Sequence, residues 1–328
     1  MKSIAHFATF AATSLLSGVI ALAPNPTQAI NLELINSFDG NSPDGITFDP
    51  ASGNLFTAET VVIDFPLLNP DGFDVTIREI DPATGATINA FKGLDDELTL
   101  ALGISILPNG NLITSDVIPG RIVEISTTGE IVPGGIDLQS PQLSFLTPGG
   151  QDPTGIRFNP VNNTIFTANF LTGDLLEIAT ELDSDGNIVI ESSIALNDLV
   201  PGITASGLEI DPETGNFLIA GDIDSSNAIH EVTPDGRLLN TFNVSDFGFQ
   251  DPEGLAIDPA TRILYVSFDD DSLAGLEVTQ GDKIAAFQIT SVPEPTSILG
   301  LLAFGALSIT SAMKGKKDRD EKNIGIAE

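Results

Sequence analysis

Residues 43–50 read Pro-Asp-Gly-Ile-Thr-Phe-Asp-Pro, and variants of this phrase return four more times along the chain. They are Leu-Gly-Ile-Ser-Ile-Leu-Pro at 102–108, Pro-Thr-Gly-Ile-Arg-Phe-Asn-Pro at 153–160, Ser-Gly-Leu-Glu-Ile-Asp-Pro at 206–212 and Pro-Glu-Gly-Leu-Ala-Ile-Asp-Pro at 252–259. The lead glycines are Gly45, Gly103, Gly155, Gly207 and Gly254, spaced by 58, 52, 52 and 47 residues. A second apolar run follows each phrase after a turn: 54–58, 111–115, 164–168, 216–220 and 263–267. A third run comes next, at 77–80, 122–125, 175–178, 229–232 and 276–278, and a fourth closes the unit at 88–91, 238–242 and 283–287. Runs of this length, rich in β-branched and aromatic residues and separated by Asp-Pro, Asn-Gly and Asp-Gly turns, are strands and hairpins. Four short antiparallel strands in about 50 residues is the arithmetic of a β-propeller blade. The expected fold is therefore all-β, a propeller in which the lead glycine lies on the innermost strand, where blades crowd the axis. A β-sandwich, the structural rival, does not repeat a strand phrase at steady spacing.

Five phrases favour five blades. Six, the alternative, requires a blade without its phrase, and residues 36–44 leave no room for one. Residues 31–38, Asn-Leu-Glu-Leu-Ile-Asn-Ser-Phe, read as a fourth strand with no blade of their own, expected to pair with the last blade and close the ring. The repeat resembles NHL-type and regucalcin/gluconolactonase-type propellers, whose blades open with a Pro-x-Gly-apolar-x-apolar-Asp phrase; the resemblance spans roughly residues 36–289.

The two ends read as addresses. Lys2, an apolar stretch from about Phe7 to Leu22, and the small-residue ending Thr27-Gln28-Ala29 form a secretory signal over residues 1–29, with cleavage expected after Ala29. An uncleaved anchor is the alternative, but Thr9, Thr13, Ser14, Ser17 and Gly18 interrupt the stretch. At the other end, over residues 291–328, Pro293-Glu294-Pro295 precedes an apolar run at 298–313 and then Lys314, Lys316, Lys317 and Arg319. This order resembles the PEP-CTERM sorting signal, also called the ice-binding protein C-terminal domain. The resemblance implies export, recognition by an exosortase-type sorting protease, and release or attachment at the cell surface after transient anchoring by the apolar helix. An ordinary C-terminal membrane helix would give nearly the same location. The propeller occupies residues 30–290 between these ends.

Across 328 residues, 13 Lys and Arg face 46 Asp and Glu, a net charge of -33. Residues 30–290 carry 41 of the acids and only seven bases, a surface that repels phosphate backbones, so nucleic acid is not an expected partner. The absence of cysteine excludes disulfides, thiolate nucleophiles and cysteine-ligated metals. His230 is the only histidine of the mature chain and no Gly-x-Ser-x-Gly elbow accompanies it, which argues against a histidine-based triad.

The residues before the lead glycines, Asp44, Leu102, Thr154, Ser206 and Glu253, are expected to converge at one mouth of the channel. The regucalcin resemblance implies metal-binding carboxylates in such places, with Asp44 and Glu253 as acidic ligands and Thr154 and Ser206 as weaker oxygen ligands. The competing reading is that these side chains cap turns through backbone N–H groups. A second set, Glu59, Asp116, Asn169, Asp222 and Asp269, ends the second strands and is read as hydrogen-bonding adjacent blades together, with calcium ligation the other option. Acidic loops supply further calcium candidates at Asp71 and Asp74, at Asp183 and Asp185, and at Asp269. The expectation is an exported binding or scaffolding propeller stabilised by calcium, meeting an extracellular polysaccharide or envelope component. The alternative is a metal-dependent lactonase or esterase.

Overall fold

The computed structural model describes residues 29–40, 43–62, 73–92, 94, 98, 100–117, 120–137, 153–169, 173–181, 183–184, 189–222, 227–268 and 282–291. Among the described residues, twenty strands form five four-stranded antiparallel sheets. The first strand, β1 (Ile30–Asp39), belongs to the last sheet. Blade 1 comprises β2 (Gly45–Asp49), β3 (Asn54–Val62), β4 (Phe73–Ile80) and β5 (Thr87–Phe91); blade 2 comprises β6 (Ala101–Ile106), β7 (Leu112–Asp116), β8 (Arg121–Ile125) and β9 (Ile131–Asp137). Blade 3 is built from β10 (Pro153–Asn159), β11 (Thr164–Asn169), β12 (Asp174–Ala179) and β13 (Ile190–Ala195). Blade 4 is built from β14 (Thr204–Ile210), β15 (Phe217–Asp222), β16 (Ala228–Val232) and β17 (Leu238–Asn243). Blade 5 takes β18 (Pro252–Asp258), β19 (Ile263–Phe268) and β20 (Lys283–Ser291), and β1 completes it by pairing along β20 from Ile30↔Ser291 to Asp39↔Lys283. This is the ring closure expected from residues 31–38. The fold is a five-bladed β-propeller.

One assignment changes. Residues 283–287, read as a fourth strand, lie in β20, which pairs with β19 on one side and β1 on the other and is therefore the third strand of blade 5. Period-two apolar patterning cannot rank strands that look alike; pairing does. The run at 276–278 lies outside the described residues.

The apolar run after each lead glycine is buried because it faces the next blade. Five hydrophobic clusters result, each shared by two adjacent blades. Ile77 and Val75 of blade 1 meet Ile104 and Val123 of blade 2, and Ile46 and Phe48 of blade 1 meet Ala256 and Tyr265 of blade 5. The cluster between blades 4 and 5 also takes in Ile30, Leu32, Phe242 and Phe287. A core distributed between blades means that no blade buries its apolar faces alone, and each full Leu, Ile or Phe burial is worth about 1.5–3 kcal/mol.

The lead glycines are required by contact, not by backbone conformation. A Cβ on Gly45 would overlap the Leu102 carbonyl oxygen, one on Gly103 the Thr154 carbonyl and one on Gly207 the Glu253 carbonyl, so each inner strand leans on the residue before the next glycine. On Gly254 a Cβ would lie 2.7 Å from the Ile46 nitrogen, across the closure of the ring. In blades 2 to 5 the register between the first two strands shifts at this point, for example between Ala205 and Gly207, a bulge that turns the inner strand toward the axis.

Candidate functional site at the propeller axis

The inner strands β2, β6, β10, β14 and β18 contact one another in order around the axis. Their starting ends frame a depression of about 190 Å³, its open mouth included, bordered by the five lead glycines together with Asp44 and Ser206. Thr154 and Ser206 are buried at this end, and Asp44, Leu102 and Glu253 are half-buried. Of the residues before the glycines, Asp44 and Ser206 border this depression, and Asp44 and Glu253 come from neighbouring blades.

Asp44 and Thr154 of this set bond to backbone groups of the fold. Asp44 Oδ2 accepts from the Thr60 backbone N–H at 2.9 Å. The Thr154 hydroxyl donates to the Ala205 carbonyl of the next blade. Leu102 stands between Asp44 and Thr154 in ring order, so the set does not form a continuous oxygen shell, and no chemical step through a metal follows from it. Among the described residues, no three His, Asp or Glu side chains gather as a group able to hold a metal ion.

Two residues beyond each lead glycine the side chains read Thr47, Ser105, Arg157, Glu209 and Ala256 around the axis. Arg157 Nε meets Glu209 Oε1 of the next blade at 2.7 Å. Its Nη1 donates to Thr47 Oγ1 at 2.8 Å, reaching across the axis from blade 3 to blade 1. Glu209 Oε2 accepts from the Ile257 backbone N–H of blade 5 at 3.0 Å, and Ser105 Oγ of blade 2 accepts from the Phe158 N–H of blade 3 at 3.0 Å. Hydrogen bonds of three side chains therefore link all five blades through the axis. Burial pushes the Glu209 carboxyl up to about 7, while Arg157 and the N–H groups of Ile210 and Ile257 pull the other way.

These residues were not singled out from sequence. The signal was present in the alternation of the phrase, which places the second residue after each glycine on the axis side. There, opposite charges occupy the same position in adjacent repeats.

Of the residues expected to join adjacent blades, Glu59 and Asp116 bond to arginines of their own blades. Glu59 accepts from Arg78 Nη2 at 2.7 Å, and Asp116 accepts from Arg121 Nη2 at 2.9 Å and from the Leu100 N–H at 3.1 Å. Burial raises the Glu59 pKa, opposed by Arg78. The Thr60 hydroxyl ties blades 1 and 2 by donating to the Ala101 carbonyl at 3.0 Å. Asn169 is buried at the end of β11.

Of the loop candidates, Asp74 is exposed on β4 and Asp183 is exposed near the end of blade 3's third strand. Asp71, Asp185 and Asp269 lie outside the described residues, as do Pro293, Glu294, Pro295 and the apolar run at 298–313. His230 is buried, with Nδ1 3.1 Å from Thr241 Oγ1, and burial depresses its pKa to about 4. The ring is therefore neutral at pH 7.

No family model matches this chain, and no curated protein matches it. Solved structures similar to it include a luciferin-regenerating enzyme, at 14% identity and a TM-score of 0.49, covering 79% of this chain and 95% of that one. Virginiamycin B lyase from Staphylococcus aureus is similar at 15% identity and a TM-score of 0.40, with coverage of 79% and 99%. A chain of the nidogen/laminin complex is similar at 15% identity and a TM-score of 0.42, with coverage of 68% and 71%. At this distance such similarities assign no activity.

Proposed function

We propose that the chain is an exported, acidic five-bladed propeller that binds or scaffolds material at the cell surface or in the extracellular matrix. The observation that carries this reading is how the axial polar groups are used. Arg157, Glu209, Ser105, Asp44 and Thr154 are bonded to the ring itself, so the centre acts as a rigid plug. Recognition then falls to the acidic exterior. Calcium is the natural mediator, because oxygen-only ligands suit a hard cation and a shared ion joins one anionic surface to another. The partners are an exosortase-type sorting protease, which acts on the Pro293-Glu294-Pro295 segment, and an anionic extracellular polysaccharide or envelope component.

The test is retention of the purified exported chain on immobilised anionic envelope polysaccharide, with calcium and with chelator at matched ionic strength. Calcium-dependent retention is expected. Equal failure to bind in both buffers, together with turnover of a simple lactone by the same preparation, replaces this reading with the metal-dependent hydrolase.

A further inference from the structure

Ile30, the first residue of β1, is fully buried, and its backbone N–H donates to Glu231 Oε2 at 3.0 Å. Glu231 belongs to β16 in blade 4 and is itself fully buried. Its other oxygen accepts from Asn216 Nδ2 at 2.8 Å. The Ile30 carbonyl accepts from Asn240 Nδ2 of β17 at 3.1 Å, so blade 4 grips both backbone polar atoms of this one residue. The two hydrogen bonds on the Glu231 carboxylate come from neutral groups, and burial raises its pKa despite them. Asp211 and Arg262, the charged groups nearby, are already bound to each other. A buried carboxylate held by neutral donors is a receptor for a cation.

We propose that Glu231 binds the α-ammonium group created when the chain is cut between Ala29 and Ile30, so that removal of the leader locks the ring shut. The proposal rests on the reading of Ala29 as the last leader residue. Hydrolysis adds water across the Ala29–Ile30 amide: the Ala29 carbonyl carbon leaves as a carboxylate, and the Ile30 nitrogen keeps its place and becomes –NH₃⁺. The bond from a neutral N–H to the carboxylate at 3.0 Å becomes an ion pair, with both partners charged in a water-excluded site. Ala29 is half-buried, and the uncut chain makes the same bond to Glu231 and lacks only the charge. Cleavage thereby distinguishes precursor from product by the stability of the strand that closes the propeller.

The experiment compares the chain beginning at Ile30 with the chain beginning at Thr27, both running to Glu328, each with Glu231 and with Glu231→Gln. With Glu231 present, the Ile30 form is expected to melt about 2–4 °C higher, and Glu231→Gln is expected to abolish the difference. A second readout needs no variant: acylation of the Ile30 α-amine near pH 7 slows by on the order of tenfold or more in the folded protein relative to the urea-unfolded chain, since ion pairing raises the amine pKa by at least about one unit. Identical melting of the two lengths, or an α-amine that reacts at the unfolded rate, overturns the receptor role of Glu231. Mass analysis of exported protein tests the other half separately. A mature chain starting anywhere other than Ile30 overturns the processing step, whatever the melting curves show.

Discussion

Glu209 reaches two other blades from one buried carboxylate, and its protonation sets how well the axis holds together. Its folded-state pKa of about 7 lies above the ordinary Glu value, so between roughly pH 4.5 and 7 the folded protein binds a proton that the unfolded chain does not. Stability from this group is therefore fully present below about pH 4.5 and is lost as pH rises through 7. Replacing it with an amide of the same shape removes the titration. Urea unfolding of the parent and of Glu209→Gln at pH 5 and pH 8 is expected to show a stability difference that changes by on the order of 3 kcal/mol between the two pH values, the parent losing more as pH rises. A difference constant with pH would mean that Glu209 stays charged throughout. The pair is legible only by comparing repeats, because its members are 52 residues apart and become neighbours only when two repeats stand side by side.

At the scale of the element, β1 has the most exposed duty. It is the only strand in its blade that does not follow the others in the chain, and it carries Ile30 and Leu32 into the cluster between blades 4 and 5. Without it, β20 becomes an unprotected edge, which pairs readily with other chains. A chain beginning at Gly40 is expected to lose on the order of 3–6 kcal/mol from those two burials alone and to self-associate as concentration rises. Chemical denaturation and light scattering read the two effects; unchanged stability would show that closure is dispensable. Most of this element was legible beforehand, since residues 31–38 read as a strand and have no lead glycine. The strand order of blade 5 was not, because 283–287 matches a fourth strand as well as a third and only pairing separates the two.

For the whole molecule, repetition made the fold readable and kept the centre hidden: a phrase seen five times reports the blade, whereas the axis is made of what differs between the copies. The charge was legible as well, and its consequence is testable. With 41 acids against seven bases over residues 30–290, like charges repel in the compact state. Salt should raise the melting temperature by screening, and calcium should raise it further at matched ionic strength. A site with a millimolar dissociation constant, held at about 100 times that concentration, adds about 2.7 kcal/mol. Coincident melting curves in calcium and in chelator would leave screening as the whole effect. The pairing of Ile30 with Ser291 also imposes an order in time. A ribosome adding about 10 residues per second makes the first closing residue on the order of half a minute before the last. During that interval the ring cannot close, and the proposed export needs a chain that has not closed. Under that proposal, once Ser291 has paired with Ile30 the closed ring would be too wide to pass back, so closure would act as a one-way latch on the side where it occurs.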